Sequence, residues 1–128
     1  MSKTIQAIRS DKLAPPIGPF SQAIRAGDFL FFSGQVGVDP ATGGLIPGGI
    51  EAEARQLFRN LATLLDAAGK SFGDVIMARV FLTRIEDFAA VNAIYAEQFE
   101  APFPARTTVA VAALPLAAAL EIELLVGA

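Results

Sequence analysis

The spacing of apolar residues changes several times along the chain, and each change marks an element. Residues 4–9 alternate polar and apolar side chains, the period of a half-buried strand. Pro15, Pro16, Gly18 and Pro19 then impose an irregular loop. Residues 21–25 and 29–35 flank Gly27 and Asp28, a two-residue signal of the kind that closes hairpins. Two prolines and four glycines between residues 39 and 49 predict a turn-rich connection.

Beyond Gly49 the period lengthens. Over residues 50–68, Ala54, Leu57, Phe58, Leu61, Leu64, Leu65 and Ala68 recur at helical spacing, and Gly69 supplies a stop. Glu51 and Glu53 are expected in the first turn, where the helix dipole favours carboxylates. Residues 75–82 predict a buried strand. A second helix carries the stripe Phe88, Val91, Asn92, Tyr95 and Phe99; Thr83 with Glu86 offers it a capping box, and Pro102 and Pro104 end it. Residues 106–112 and 120–126 predict two further strands around a break at Leu114-Pro115. The order is three strands, helix, strand, helix, two strands, in one domain over residues 1–128 with no internal repeat.

Strand alternation assigns faces. In the last strand Leu120, Ile122, Leu124 and Val126 share one side, and Glu121 and Glu123 the other. In the preceding strand Arg106, Thr108 and Ala110 share a side, opposite Val109 and Val111. With both helices on one face of the sheet, the second face is expected to hold Arg106 and both glutamates and to be covered by another subunit.

Composition supports that cover. The chain is 53% hydrophobic, contains 11 glycines and is only 18% charged, more apolar surface than a lone 128-residue globule can bury. A homo-oligomer is expected. No apolar run approaches the roughly 18 residues that span a bilayer, so a soluble, cytoplasmic protein without a membrane partner is expected. The sequence holds no cysteine and no histidine, which excludes disulfides, thiolate and Ser-His-Asp catalysis, and the ligands zinc prefers. A net charge of −3 and a pI near 4.8 have the wrong sign for non-specific phosphate binding, so no nucleic-acid partner is expected.

From Ala101 to the C-terminus only three residues are charged: Arg106, Glu121 and Glu123. Two readings stay open. Arg106 and a glutamate form a structural ion pair at an interface, or the arginine holds a substrate carboxylate beside a glutamate that moves protons. On the residues alone, Asn92 reads as an amide that caps a loop or satisfies a buried carbonyl, and Tyr95 and Phe99 as core aromatics. Ser33-Gly34-Gln35 reads as a bulge or a close backbone approach. Lys3, Lys12 and Lys70 read as solvated surface groups, not Schiff-base lysines.

Five segments together resemble a known family: Ile17-Gly18-Pro19-Phe20-Ser21-Gln22-Ala23, Ser33-Gly34-Gln35-Val36, Val91-Asn92, Phe103-Pro104-Ala105-Arg106 and Glu121-Ile122-Glu123. In order, over essentially the whole chain, they look like the RidA (YjgF-like) family of reactive-intermediate deaminases. The resemblance implies a chorismate-mutase-like α+β subunit, a mixed β-sheet with two helices packed on one face, assembled as a homotrimer with clefts between subunits. It implies hydrolysis of small 2-imino or enamine acids, such as 2-aminoacrylate and 2-iminopropionate, to 2-keto acids and ammonia, with no metal or organic cofactor. By matching position, Arg106 holds the substrate carboxylate and Glu121 positions water, while Phe20, Ser33, Gly34, Asn92 and Thr108 line the cleft. The family commonly has tyrosine where Phe20 stands, and some relatives cysteine where Thr108 stands; this chain lacks both groups. The missing phenol motivates an alternative, a small-molecule-binding or protein-stabilising module on the same fold. Ribonuclease activity or translation inhibition is a further alternative, disfavoured by the acidic pI and the absence of histidine.

Overall fold

The hairpin expected around Gly27 forms, and it opens a six-stranded sheet. The structure is a computed structural model describing residues 4–128, so Lys3 lies outside the described residues. The strands are β1 (Ile5–Ile8), β2 (Ala23–Ala26), β3 (Phe29–Gln35), β4 (Val75–Leu82), β5 (Ala105–Ala110) and β6 (Leu120–Gly127); the helices are α1 (Gly49–Ala67) and α2 (Phe88–Ala96). Gly27 takes φ +60°, the left-handed conformation that a tight hairpin turn needs and that glycine adopts without a Cβ penalty.

The strand order is β1-β2-β3-β6-β4-β5. Every neighbouring pair is antiparallel except β4 and β5, which run parallel because the chain crosses over through α2 between them. The sheet is therefore mixed and the fold α+β, as expected. β5 pairs with β4 alone and forms an edge.

Both helices contribute to one core on one face of the sheet. Leu57, Leu61, Leu64 and Leu65 of α1 pack with Leu30, Val80, Leu120, Ile122 and Val126, all essentially inaccessible to water. Phe58, Phe72, Tyr95 and Phe99 add an aromatic cluster, edge-to-face except for the tilted Tyr95–Phe99 pair, with ring centroids 4.4–6.4 Å apart, that joins α1 to α2. Gly69 ends α1 at φ +70°, where the N–H groups of Gly69 and Lys70 donate to the carbonyls of Asp66 and Leu65.

The helix ends differ from expectation in three places. No Thr83–Glu86 box caps α2; a single 3-10 turn, Ile85–Asp87, leads into it. α2 stops at Ala96, ahead of the prolines, because the N–H groups of Glu97 and Gln98 turn back to the carbonyls of Ile94 and Tyr95. Glu53 does not serve the α1 dipole. It is buried, and its Oε1 accepts the Ala119 N–H at 2.8 Å, tying the loop before β6 to the helix.

The other sheet face is open and largely apolar. Phe29 and Phe31 of β3 stand exposed on it, as does Val109 of β5, level with Phe81.

Candidate functional site

The β3–β6 ladder breaks between Phe32 and Gln35, so Ser33 and Gly34 form the irregularity expected from the sequence. A cavity of about 460 Å³ opens there, with Phe20, Ser33, Gly34, Glu121 and Glu123 in its wall. Ser33 is held by the loop behind it: its hydroxyl donates to the Ser21 carbonyl at 2.6 Å and its N–H to the Gln22 carbonyl at 3.0 Å.

Glu121 lies directly against the Gly34 backbone. A Cβ at position 34 would fall 2.8 Å from the Glu121 carboxyl carbon and 3.0 Å from its Oε2, closer than real side chains approach. Only glycine leaves the carboxyl this place. Burial raises the Glu121 pKa above the ordinary carboxylate value, and the nearby Glu123 charge pushes it the same way. Glu121 is therefore a stronger proton acceptor than a solvated glutamate, set in a mostly apolar chamber. Phe20, half-exposed, contributes ring surface and no hydroxyl.

Two residues outside the expected set shape this chamber. Gln22 is buried, accepting the Ser10 N–H at 2.7 Å, and so fixes the proline-rich loop along the cavity. Leu116 hangs over the cavity in the left-handed region, φ 60°, followed by Ala117 at φ 56°, conformations that are costly for residues with a Cβ. Gln22 belongs to a motif legible in the sequence; the conformation of Leu116 left no signal there.

Arg106 is not in this cavity, and its expected placement is corrected. In the ladder Arg106 stands level with Ala78 and Leu124, and Thr108 with Val80 and Ile122, which are core-facing residues. Arg106, Thr108 and Ala110 thus share the helix side, whereas Glu121 is level with Phe81 and Val109 on the open side. The reason is that β5 is an edge strand. Its helix side is covered mainly by α2 aromatics, over which an arginine can lie, while the open side takes the apolar Val109.

Arg106 places its guanidinium carbon 4.7 Å from the Tyr95 ring centroid and 5.5 Å from that of Phe88. Among the described residues it has no carboxylate at salt-bridge distance. An ion pair with a glutamate does exist on the sheet, but it joins Arg79 to Glu123 at 3.0 Å. The hydroxyls of Tyr95 and Thr108 are buried without a hydrogen-bond partner, which is uncommon. Burial raises the Tyr95 pKa, against a smaller lowering by Arg106. Asn92, half-buried, lies one turn before Tyr95 on α2. The candidate residues thus fall into two groups on opposite sides of the sheet: Glu121, Gly34, Ser33 and Phe20 at the cavity, and Arg106, Thr108 and Asn92 along β5 and α2.

Among the described residues no cluster of His, Cys, Asp and Glu is suited to hold a metal ion, and no helix is long and apolar enough to cross a membrane.

Comparison with known proteins matches this pattern to relatives. Residues 11–127 match the family described as endoribonuclease L-PSP. The 2-iminobutanoate/2-iminopropanoate deaminase of Capra hircus is 46% identical over 96% of this chain and 90% of its own length. The crystal structure of RidA from the Antarctic bacterium Psychrobacter superimposes with a TM-score of 0.91 at 40% identity, covering 96% of this chain and 99% of that one. E. coli TdcF, crystallised with bound serine, superimposes with a TM-score of 0.89 at 36% identity, covering 96% and 98%. Matched over nearly its whole length in both sequence and structure, the chain belongs to the RidA (YjgF-like) family.

Proposed function

We propose that this protein hydrolyses 2-imino acids and their enamine tautomers to 2-keto acids and ammonia, in clefts completed between subunits of a homotrimer. The observation that carries the reading is the Glu121 carboxyl, partly buried and set against Gly34 in the wall of an otherwise largely apolar cavity. The identity to a 2-iminobutanoate/2-iminopropanoate deaminase supports the substrate class. The bound amino acid in TdcF supports a small carboxylate ligand.

In this reading Glu121 accepts a proton from water as the oxygen attacks the iminium carbon, giving a carbinolamine. It returns that proton to the amine nitrogen. The C–N bond then breaks as the hydroxyl becomes the carbonyl and releases its own proton, so iminium and water become keto acid and ammonium. Arg106 contributes its planar fork to the substrate carboxylate. Because Arg106 and Glu121 face opposite ways in one chain, the fork that serves a cavity belongs to the neighbouring subunit. The open apolar sheet face and the β5 edge support the assembly, as does the absence of an internal partner for Arg106 among the described residues. Asn92 and Thr108 accompany Arg106 into the cleft, and Ser33 and Phe20 complete the wall around Glu121.

The test generates 2-aminoacrylate with a serine dehydratase and follows keto-acid release. Acceleration over the spontaneous rate is expected. If no imine side chain gives acceleration while 2-keto acids still bind, the protein is a binding module, as the missing Phe20 hydroxyl would then explain.

A further inference from the structure

Glu123 is left without a role by the chemistry above, yet it is only partly exposed and is held in one place. It projects from the same side of β6 as Glu121, lines the same cavity, and is held from the adjacent strand by Arg79, whose Nη1 donates to its Oε1 at 3.0 Å. The pairing is built into the ladder, since Arg79 and Glu123 are direct cross-strand partners while Glu121 lies level with Phe81. A cross-strand ion pair on a pleated sheet fixes where its charges sit. Of the two carboxylates in the cavity wall, one is therefore anchored by a cation and the other is not.

The surroundings of Glu121 on each neighbouring element are simple. β4 presents Phe81 and, one pleat further, Arg79; β3 presents the Gly34 backbone and Ser33; β6 presents Glu123. Among the described residues the rest of the cavity wall within one chain carries no other ionisable side chain; the assembly proposed above adds the neighbouring subunit's Arg106, whose positive charge acts on Glu121 in the opposite sense and is the same in every variant compared. Glu123 is thus the nearest anion, and Arg79 points its charge at Glu123.

We propose that Glu123, pinned by Arg79, is a positioning residue for Glu121: the cross-strand ion pair holds the Glu123 carboxylate in the cavity wall on the same side of β6 as the Glu121 carboxyl, and so governs how readily that carboxyl gives up its proton. A carboxylate held in place acts on its neighbour as a fixed charge. Burial and the Glu123 charge both act on Glu121 to raise its pKa. The inference rests on imine hydrolysis only in the use made of the proton; the coupling itself can be measured without turnover.

The experiment uses the intact assembled protein, Glu123→Gln, and the double variant Glu123→Gln with Arg79→Gln. The Glu121 side chain is titrated by carboxyl carbon NMR, and the pH profile of imine hydrolysis is recorded in parallel. Glutamine keeps the size of Glu123 and an oxygen for Arg79, so a folded trimer is expected. In Glu123→Gln the Glu121 midpoint and the acid limb of kcat should both move to lower pH, with the plateau kcat within about tenfold of wild type, far less than loss of a general base would cost. In the double variant the midpoint should fall between the single variant and wild type, because the Arg79 charge is gone as well. An unmoved Glu121 midpoint in Glu123→Gln overturns the proposal. So does a loss beyond about a hundredfold at every pH in a folded trimer, which would make Glu123 a catalytic group itself. If wild type hydrolyses no imine but the midpoint still moves, the proposed function fails and the coupling stands.

Discussion

The Arg106 guanidinium carbon lies 4.7 Å from the centre of the Tyr95 ring, on the helix side of β5, and among the described residues no carboxylate reaches it. A flat cation resting on an aromatic face keeps its in-plane N–H donors pointing away from the ring, available to a planar anion. The buried Tyr95 and Thr108 hydroxyls lack partners in the same region. Together these features leave a stacked cation without a carboxylate partner, and two buried hydroxyls without hydrogen bonds, on one side of β5 among the described residues.

Arg106→Lys should therefore lower kcat/KM for 2-iminopropionate by about ten- to a hundredfold or more, the value of a charged hydrogen-bond pair, with the assembly intact. Lysine has neither the fork nor the planar stack. Steady-state kinetics with imines made in place by an amino-acid oxidase measure it, and a lysine variant as fast as wild type would remove Arg106 from the carboxylate.

Gly34→Ala should separate fold from site. The new Cβ meets the end of the Glu121 side chain, which can swing away, so thermal stability should change by less than about 1 kcal/mol. The swing displaces the carboxyl from the reacting atoms, and a misplacement of about 1 Å can cost a hundredfold. A loss of kcat of roughly ten- to a hundredfold is expected, with the melting temperature moved by no more than about 5 °C.

Glu121→Gln should lower kcat by about 10²–10⁴-fold, the value of a general acid–base group. Its effect on stability runs the other way. Because the folded protein raises the Glu121 pKa above its unfolded value, this group favours folding at acid pH and loses that contribution as pH rises through the folded value. The glutamine variant should therefore melt above wild type near neutrality and match it in acid. Calorimetry at the two pH values checks the sign, and a variant that melts lower near neutrality contradicts the desolvation account.

Phe31→Asp tests the shared cleft. Phe31 is half-exposed on the open sheet face, level with Leu125, and is not a cavity residue. Burying an aromatic side chain contributes about 1.5–3 kcal/mol, and a carboxylate in its place adds a desolvation cost. Light scattering should find the variant shifted from trimer towards monomer, with imine hydrolysis lost in parallel. A folded, fully active monomer would refute a cleft built from two chains. Ala110, which stands on the helix side level with Leu82, could not serve for this test.

The sequence by itself determined the element order, the helical stripe of α1, the stop at Gly69, the hairpin at Gly27 and the irregularity at Gly34. Each is encoded locally, by a repeat of apolar positions or by a glycine whose missing Cβ the backbone requires. The face of β6 was equally legible, since Leu120, Ile122, Leu124 and Val126 alternate with two glutamates. The face of β5 was not. Alternation groups Arg106 with Thr108 and Ala110 but cannot say which side the group takes, and on an edge strand with apolar material on both sides the polarity rule loses its force. Tertiary structure decided it by setting Arg106 on the ring of Tyr95; it also paired Glu123 with Arg79, 44 residues earlier in the chain on the adjacent strand, and turned Glu53 inward to hold the Ala119 N–H. These contacts join residues far apart in the chain, and their geometry is fixed by register and packing, which no local pattern carries.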